Sequence, residues 1–201
     1  MLREDFSGWS GGEAEKLTML ILKGYSAPNF DDSFLKGMRN LKVLAMANMN
    51  FDPSLPESRW KLTKLRTLCM ERCKLGDIKQ LSELVNLLVL SLRESSFKEL
   101  PVEIGKLSKL RVLDLTGCIC CKATLIPTGI LSRLSKLEGL YLSNTNKHGV
   151  SVFGMENSNE GWGAIEKYRL PHLNSFNIKV RQIECLPIDP QSFEKNRKSD
   201  V

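Results

Sequence analysis

The sequence predicts an α/β solenoid, and three observations predict it. A short phrase, L-x-x-L-x-L, begins at Leu17, Leu41, Leu65, Leu87, Leu110, Leu137 and, in degraded form, Leu173. Its copies start 24, 24, 22, 23, 27 and 36 residues apart, so most fall within a period of roughly 20–29 residues. Between copies run apolar residues at helical steps, several of them entered through Leu-Pro or Ile-Pro. Together these describe a leucine-rich repeat horseshoe, with a parallel β-sheet on the concave face and short 3₁₀ or α turns on the convex face.

Each element follows from the residues it contains. Within L-x-L the two leucines face one way and the middle residue the other, because side chains alternate across a strand. A single copy cannot bury its leucines, so the copies stack and pair their strands into one sheet. Each leucine buried in this way contributes about 1.5–3 kcal/mol. The return path is also regular. Leu100-Pro101 leads to Ile104, Leu107 and Leu110, and Leu55-Pro56 leads to Trp60, Leu62 and Leu65. Ile126-Pro127 leads to Ile130, Leu134 and Leu137. Repeat three substitutes Ile78, Leu81, Leu84 and Leu87, a spacing of three that predicts a 3₁₀ turn.

Residues 1–16, polar and rich in glycine, read as a frayed lead-in or a broken repeat. Residues 17–181 form the repeat domain of about seven units, with a polar insertion at 146–169 that includes Trp162. Residues 182–201 read as a disordered charged tail. The first repeat has no polar cap, so exposure of Leu17, Leu20 and Leu22 is expected, with fraying or self-association.

Composition excludes several functions. Apolar residues make up 42% of the chain, enough for a core, and the formal charge is +6. Lys and Arg are spread among Glu and Asp, and Lys195-Asn196-Arg197-Lys198 is the one short basic run, so a nucleic-acid partner is not expected. No signal peptide, N-glycosylation sequon or long apolar run occurs, which points to a cytoplasmic protein without a membrane partner.

Catalytic signatures are missing. Gly105-Lys106 resembles the end of a phosphate-binding loop, but the upstream glycine is absent and Leu107 stands where Ser or Thr would hold magnesium. The two histidines, His148 and His172, have no credible serine or cysteine partner in sequence. The chain therefore reads as a non-enzyme without a cofactor. Six cysteines invite a metal or redox reading centred on Cys118 and Cys121. Cys73 and Cys118, however, occupy equivalent slots two repeats apart, about 10 Å at normal strand spacing. Cys69 faces the opposite way from Cys73. Small hydrophobic side chains filling turn pockets, with no metal site, are the expected reading.

Recognition then falls to the concave face. Ser91, Asp114 and Tyr141 stand at the middle of L-x-L. Glu71, Arg93, Thr116 and Ser143 follow the second apolar residue, and Arg72, Glu94 and Asn144 come one position later. Arg66 and Arg111 precede the strands. Tyr and Arg anchor many protein interfaces. The alternative is an ordinary solvated sheet, with Arg93 near Glu71 and Arg72 near Glu94 as cross-strand pairs.

Several longer stretches are more specific than the generic repeat. They are Phe34-Leu35-Lys36-Gly37-Met38-Arg39-Asn40-Leu41, Cys73-Lys74-Leu75-Gly76-Asp77-Ile78, Glu99-Leu100-Pro101-Val102-Glu103-Ile104-Gly105-Lys106-Leu107 and Leu110-Arg111-Val112-Leu113-Asp114-Leu115. The run Ile130-Leu131-Ser132-Arg133-Leu134-Ser135-Lys136-Leu137 belongs with them. They resemble the leucine-rich repeats of plant intracellular disease resistance proteins, which carry a coiled coil and a nucleotide-binding module upstream. The resemblance covers 17–145 well and 146–181 loosely. It implies a fragment of an immune receptor that serves effector sensing or autoinhibition in defence. It also implies a protein partner: a pathogen effector, a guarded host protein or the receptor's own nucleotide-binding module. The family's ATP/ADP site lies upstream, and no part of it is present here. The competing expectation is a generic intracellular scaffold, of the Ras-interacting or ubiquitin-ligase adaptor type.

Overall fold

The computed structural model describes residues 15–24, 37–53, 55, 62–122, 124–127, 129–143, 151–153 and 172–177. Its strands, in chain order, are β1 (Met19–Lys23), β2 (Val43–Ala47), β3 (Thr67–Glu71), β4 (Lys74–Gly76), β5 (Val89–Ser91) and β6 (Ser96–Phe97). They continue with β7 (Val112–Asp114), β8 (Ile119–Cys120), β9 (Thr124–Ile126), β10 (Gly139–Tyr141), β11 (Ser151–Phe153) and β12 (Ser175–Asn177). One strand per repeat enters a 7-stranded sheet in the order β1-β2-β3-β5-β7-β10-β12. The fold is a leucine-rich repeat solenoid.

Register follows the leucines. Leu20 lies opposite Leu44, Leu44 opposite Leu68, Leu68 opposite Leu90, Leu90 opposite Leu113 and Leu113 opposite Leu140, all in parallel pairs. The last strand pairs in the same parallel sense, with Phe176 opposite Leu140 in the register. From repeat two to repeat six, no side chain at the three leucine positions is more than 4% exposed, Met46 being the most open. The column is dry, so a slip of one residue in any strand would turn its apolar set toward water.

The return path keeps the predicted period of three. Leu81 N–H donates to Ile78 O, Leu84 to Leu81 and Leu87 to Leu84. The same chain of bonds runs Pro101, Ile104, Leu107, Leu110 and again Leu131, Leu134, Leu137. Two segments, Lys79–Glu83 and Val102–Lys106, are 3₁₀ helices. A single α turn, α1 (Ile130–Arg133), takes their place in the next unit. In a 3₁₀ turn positions three apart align, which points every third residue into the core.

Several features differ from the sequence expectation. A second sheet, β4-β6-β8, runs along the flank just beyond the strand-end turns. Each of its strands is three residues or fewer, too short to stand out in a sequence pattern. The insertion expected at 146–169 contributes a strand, because β11 pairs in parallel with β9. Trp162 and the segments 1–14 and 178–201 lie outside the described residues, as does most of that insertion. The first repeat also differs. Leu22 is buried, and Leu17 and Leu20 are partly buried against the core. The exposed apolar side chains there are Met19 and Ile21, at 53% and 59%. They sit on the other face of β1, and alternation alone accounts for the exchange.

A buried polar ladder completes the core. The residue three past the last apolar position of the phrase is buried in the turn at Cys73, Ser95 and Cys118. Cys73 Sγ lies 3.8 Å from Met46 O, Ser95 Oγ donates to Met70 O at 2.7 Å, and Cys118 Sγ donates to Leu92 O at 2.9 Å. Ser95 Oγ also accepts from Cys73 N–H at 2.9 Å. These side chains tie each turn to the strand of the preceding repeat. The pockets expected to hold weak hydrophobes therefore hold hydrogen-bond donors.

Two substitutions test this core in urea unfolding. Leu113→Ala is expected to cost about 2–5 kcal/mol through the cavity it leaves. Ser95→Ala removes the acceptor of a buried N–H and is expected to cost about 1–3 kcal/mol. A neutral result at Leu113 would mean that the column does not hold the stack together.

Candidate protein-binding face

The concave face is built from three positions per repeat. The middle strand residues Ala45, Cys69, Ser91, Asp114 and Tyr141 align across successive strands in the observed register. Asp114 organises the centre of this row. Its carboxylate accepts from Thr116 N–H at 2.9 Å and lies 3.3 Å from Ser91 Oγ. Tyr141 and Ser175 hydroxyls meet at 2.8 Å. Gly139 makes room for the tyrosine, since a Cβ built there would stand 3.1 Å from its ring. The ring therefore lies back over its own strand and is half-buried. Cys69 lies two strands from Asp114, across Ser91, and burial, then the charges of Asp114 and Glu71, pushes its thiol pKa up.

Beyond the strand ends the chain makes an unusual turn. Asn48, Arg72, Glu94 and Gly117 occupy equivalent positions, with φ of 58°, 52°, 55° and 68°. Their N–H groups donate to the next repeat, at Glu71 O, Arg93 O, Thr116 O and Ser143 O. Gly and Asn tolerate this left-handed region, while Arg72 and Glu94 carry a strain of about 1–2 kcal/mol each. Alternation along the strands predicts these residues on the face but not the backbone they require. The Asn and Gly at the same offset were the available signal.

The two strained residues meet in an ion pair. Arg72 Nε donates to Glu94 Oε2 at 2.8 Å, as expected from the register. Arg93 does not pair with Glu71 as anticipated: its Nε lies 3.5 Å from Glu94 Oε1, and Glu71 instead lies 3.7 Å from Arg72. The reason is the turn, which carries Arg93 and Glu94 off the end of β5. The hydrogen bond from Arg72 holds the Glu94 carboxyl below the usual carboxylate range. Its stabilising effect is thus present above the unfolded-state pKa and fades as pH falls through the lowered folded value. The pair is solvated, so that effect is small.

The remaining sequence-predicted residues divide. Thr116 and Ser143 lie half-buried beside this turn. Arg66 and Arg111 lie at the opposite ends of the strands, where Arg111 donates to Glu138 at 2.7 Å. They are not part of the central row. Asn144 lies outside the described residues.

The described cysteines do not converge on one centre. Among the described residues no cluster of His, Cys, Asp and Glu is arranged to hold a metal. Cys118 is buried against Leu92 O while Cys121 is exposed on the far side of β8, so the C-x-x-C spacing does not converge. Burial drives the Cys118 thiol pKa far upward.

Comparison with solved structures finds the same fold in proteins of diverse origin. A leucine-rich repeat protein of Leptospira interrogans superposes with a TM-score of 0.61 at 25% identity, over 92% of this chain and 47% of its own. An internalin of Listeria monocytogenes gives 0.54 at 19% identity, over 79% and 43%. The ectodomain of an Arabidopsis thaliana membrane receptor kinase, solved with Casparian strip integrity factor 2, gives 0.54 at 22%, over 84% and 18%. The chain spans less than half the length of each. No protein-family model and no curated protein matches the sequence.

Thiol alkylation of the native protein, mapped by mass spectrometry, tests the cysteine placement. Cys121 is expected to label readily at pH 8, and Cys73 and Cys118 only after unfolding. Early labelling of Cys118 would contradict its buried hydrogen bond.

Proposed function

We propose that this chain is a non-catalytic protein-recognition module, and that it serves the leucine-rich region of a plant intracellular immune receptor. The observation that carries the recognition reading is the concave row Ser91, Asp114 and Tyr141 beside the Arg72–Glu94 pair. None of these side chains is needed to fill the core. Two of them hold strained backbone, a feature that concentrates at functional sites. A Tyr, an Arg and a fixed carboxylate on a broad rigid sheet suit a protein partner.

The plant assignment rests on the longer stretches that resemble disease resistance proteins. It implies a cytoplasmic setting and a partner among three classes: a pathogen effector, a guarded host protein or the receptor's own nucleotide-binding module. The fold is also one on which plant receptors hold signalling ligands, as in the peptide hormone receptor solved with its hormone. A generic scaffold would use the same face, and genomic context separates the two. A coding region for a nucleotide-binding module directly upstream favours the immune reading.

The direct test is a pull-down against such modules and candidate effectors. Asp114→Arg and Tyr141→Ala are each expected to weaken capture by about tenfold or more, as for central interface residues. Val102→Ala, on the exposed convex surface, is expected to leave it unchanged. Capture that survives both concave substitutions and fails with the convex one would overturn the assignment.

A further inference from the structure

In sequence the basic residues look scattered, yet the repeat gathers many of them on one rim. Two rows run along the N-terminal ends of the strands. In repeats two to six the first holds the residue just before the opening leucine: Asn40, Lys64, Asn86, Lys109 and Lys136 in that order. Lys64 Nζ donates to Asn40 Oδ1 and Lys109 Nζ to Asn86 Oδ1, both at 2.6 Å, so these side chains are laid along the row. The second row holds the residue just after that leucine, with Lys42, Arg66 and Arg111. Backbone bonds stack it: Arg66 N–H to Lys42 O, Leu88 to Arg66, Arg111 to Leu88 and Glu138 to Arg111.

Successive positions in each row are about 4.8 Å apart. All six cations are exposed. Glu138 is the one carboxylate in the two rows, and it is held by Arg111 at 2.7 Å. Among the described residues no ion pair engages Lys42, Lys64, Arg66, Lys109 or Lys136. The opposite flank is different: Lys79 pairs with Glu103 and Lys122 with Glu99. Aligned like charges raise the energy of the folded chain. Nothing in the core requires them, because these side chains point away from it.

We propose that this rim docks an acidic polypeptide segment, running across the repeats at the N-terminal ends of the strands. Alternate side chains of an extended chain lie about 6.6–6.8 Å apart, between the one-rung spacing of about 4.8 Å and the two-rung spacing of about 9.6 Å that separate these cations, and the flexible lysine and glutamate stems take up the difference. The Arg111–Glu138 contact is an internal example of the same recognition. Neither row carries an aromatic side chain, so the stacking platform of single-strand nucleic-acid sites is missing there. This surface extends the protein-recognition reading through Arg66 and Arg111, but its lysines lie off the concave row and can be tested alone.

The probe is a fluorescein-labelled decaglutamate peptide, followed by anisotropy with the full chain at pH 7 over a range of salt. Saturable binding is expected, weakening as salt rises. The triple variant Lys64→Glu, Lys109→Glu, Lys136→Glu is expected to lose at least about tenfold in affinity at low salt. The control Lys74→Glu, Lys98→Glu, Lys122→Glu makes the same change of net charge on the opposite flank and is expected to lose far less. Should the first variant melt early in urea, Lys→Gln at the same three positions replaces it, with a smaller loss in the same direction. Equal losses from rim and flank variants would overturn the proposal, as would no peptide binding at low salt. Tighter binding of single-stranded DNA, or of phosphatidylserine vesicles, than of the peptide at equal salt would overturn it too. Success here alongside failure of the concave variants in the pull-down would separate this rim from the concave reading.

Discussion

Everything in this molecule depends on the parallel register that lays one leucine column against the next. Leu44, Leu68, Leu90, Leu113 and Leu140 form a dry line, and each strand can bury its share only if both neighbours are in step. The strands are short, several of only three residues, and would not pair without the packing beneath them. The 3₁₀ turns behind the sheet serve the same end. Their period of three keeps Ile78, Leu81 and Leu84 on one side, closing the unit over the leucines. Stability is therefore distributed along the stack as a chain of nearest-neighbour contacts.

That dependence explains what the sequence revealed. A residue that must be buried once per repeat leaves a periodic trace, so the strands, the leucine columns and the convex turns were legible. The concave row was legible as well, because alternation assigns it by default. What escaped were features set by backbone geometry or by polar bonds between repeats. The left-handed turn was hidden because Arg72 and Glu94 occupy positions where Gly or Asn would have announced it. The role of Ser95 was hidden because a serine between two cysteines looks like a small filler until its two hydrogen bonds are seen. The pairing of Arg93 was misassigned for the same reason: a straight strand puts it beside Glu71, and the turn puts it beside Glu94.

The basic rim shows the limit of linear reading most clearly. Lys64, Lys109 and Lys136 are separated by dozens of residues that include many carboxylates, and a composition count averages them away. The solenoid samples the chain once per turn, so residues at one phase become neighbours whatever lies between them. Charge in such a protein is meaningful by phase within the repeat. On that scale one rim is cationic, while the other mixes lysines with glutamates and holds two ion pairs.

The stacked bonds from Lys42 through Arg66 and Leu88 to Arg111 and Glu138 have a broader consequence. Since each unit attaches to its neighbour through the same few backbone groups, one whole unit can be duplicated or removed without disturbing the joints elsewhere. The recognition surface would then lengthen or shorten by a single rung and keep its pattern on either side. A fold of this kind can explore new ligands by changing its number of rungs as well as the letters written on them.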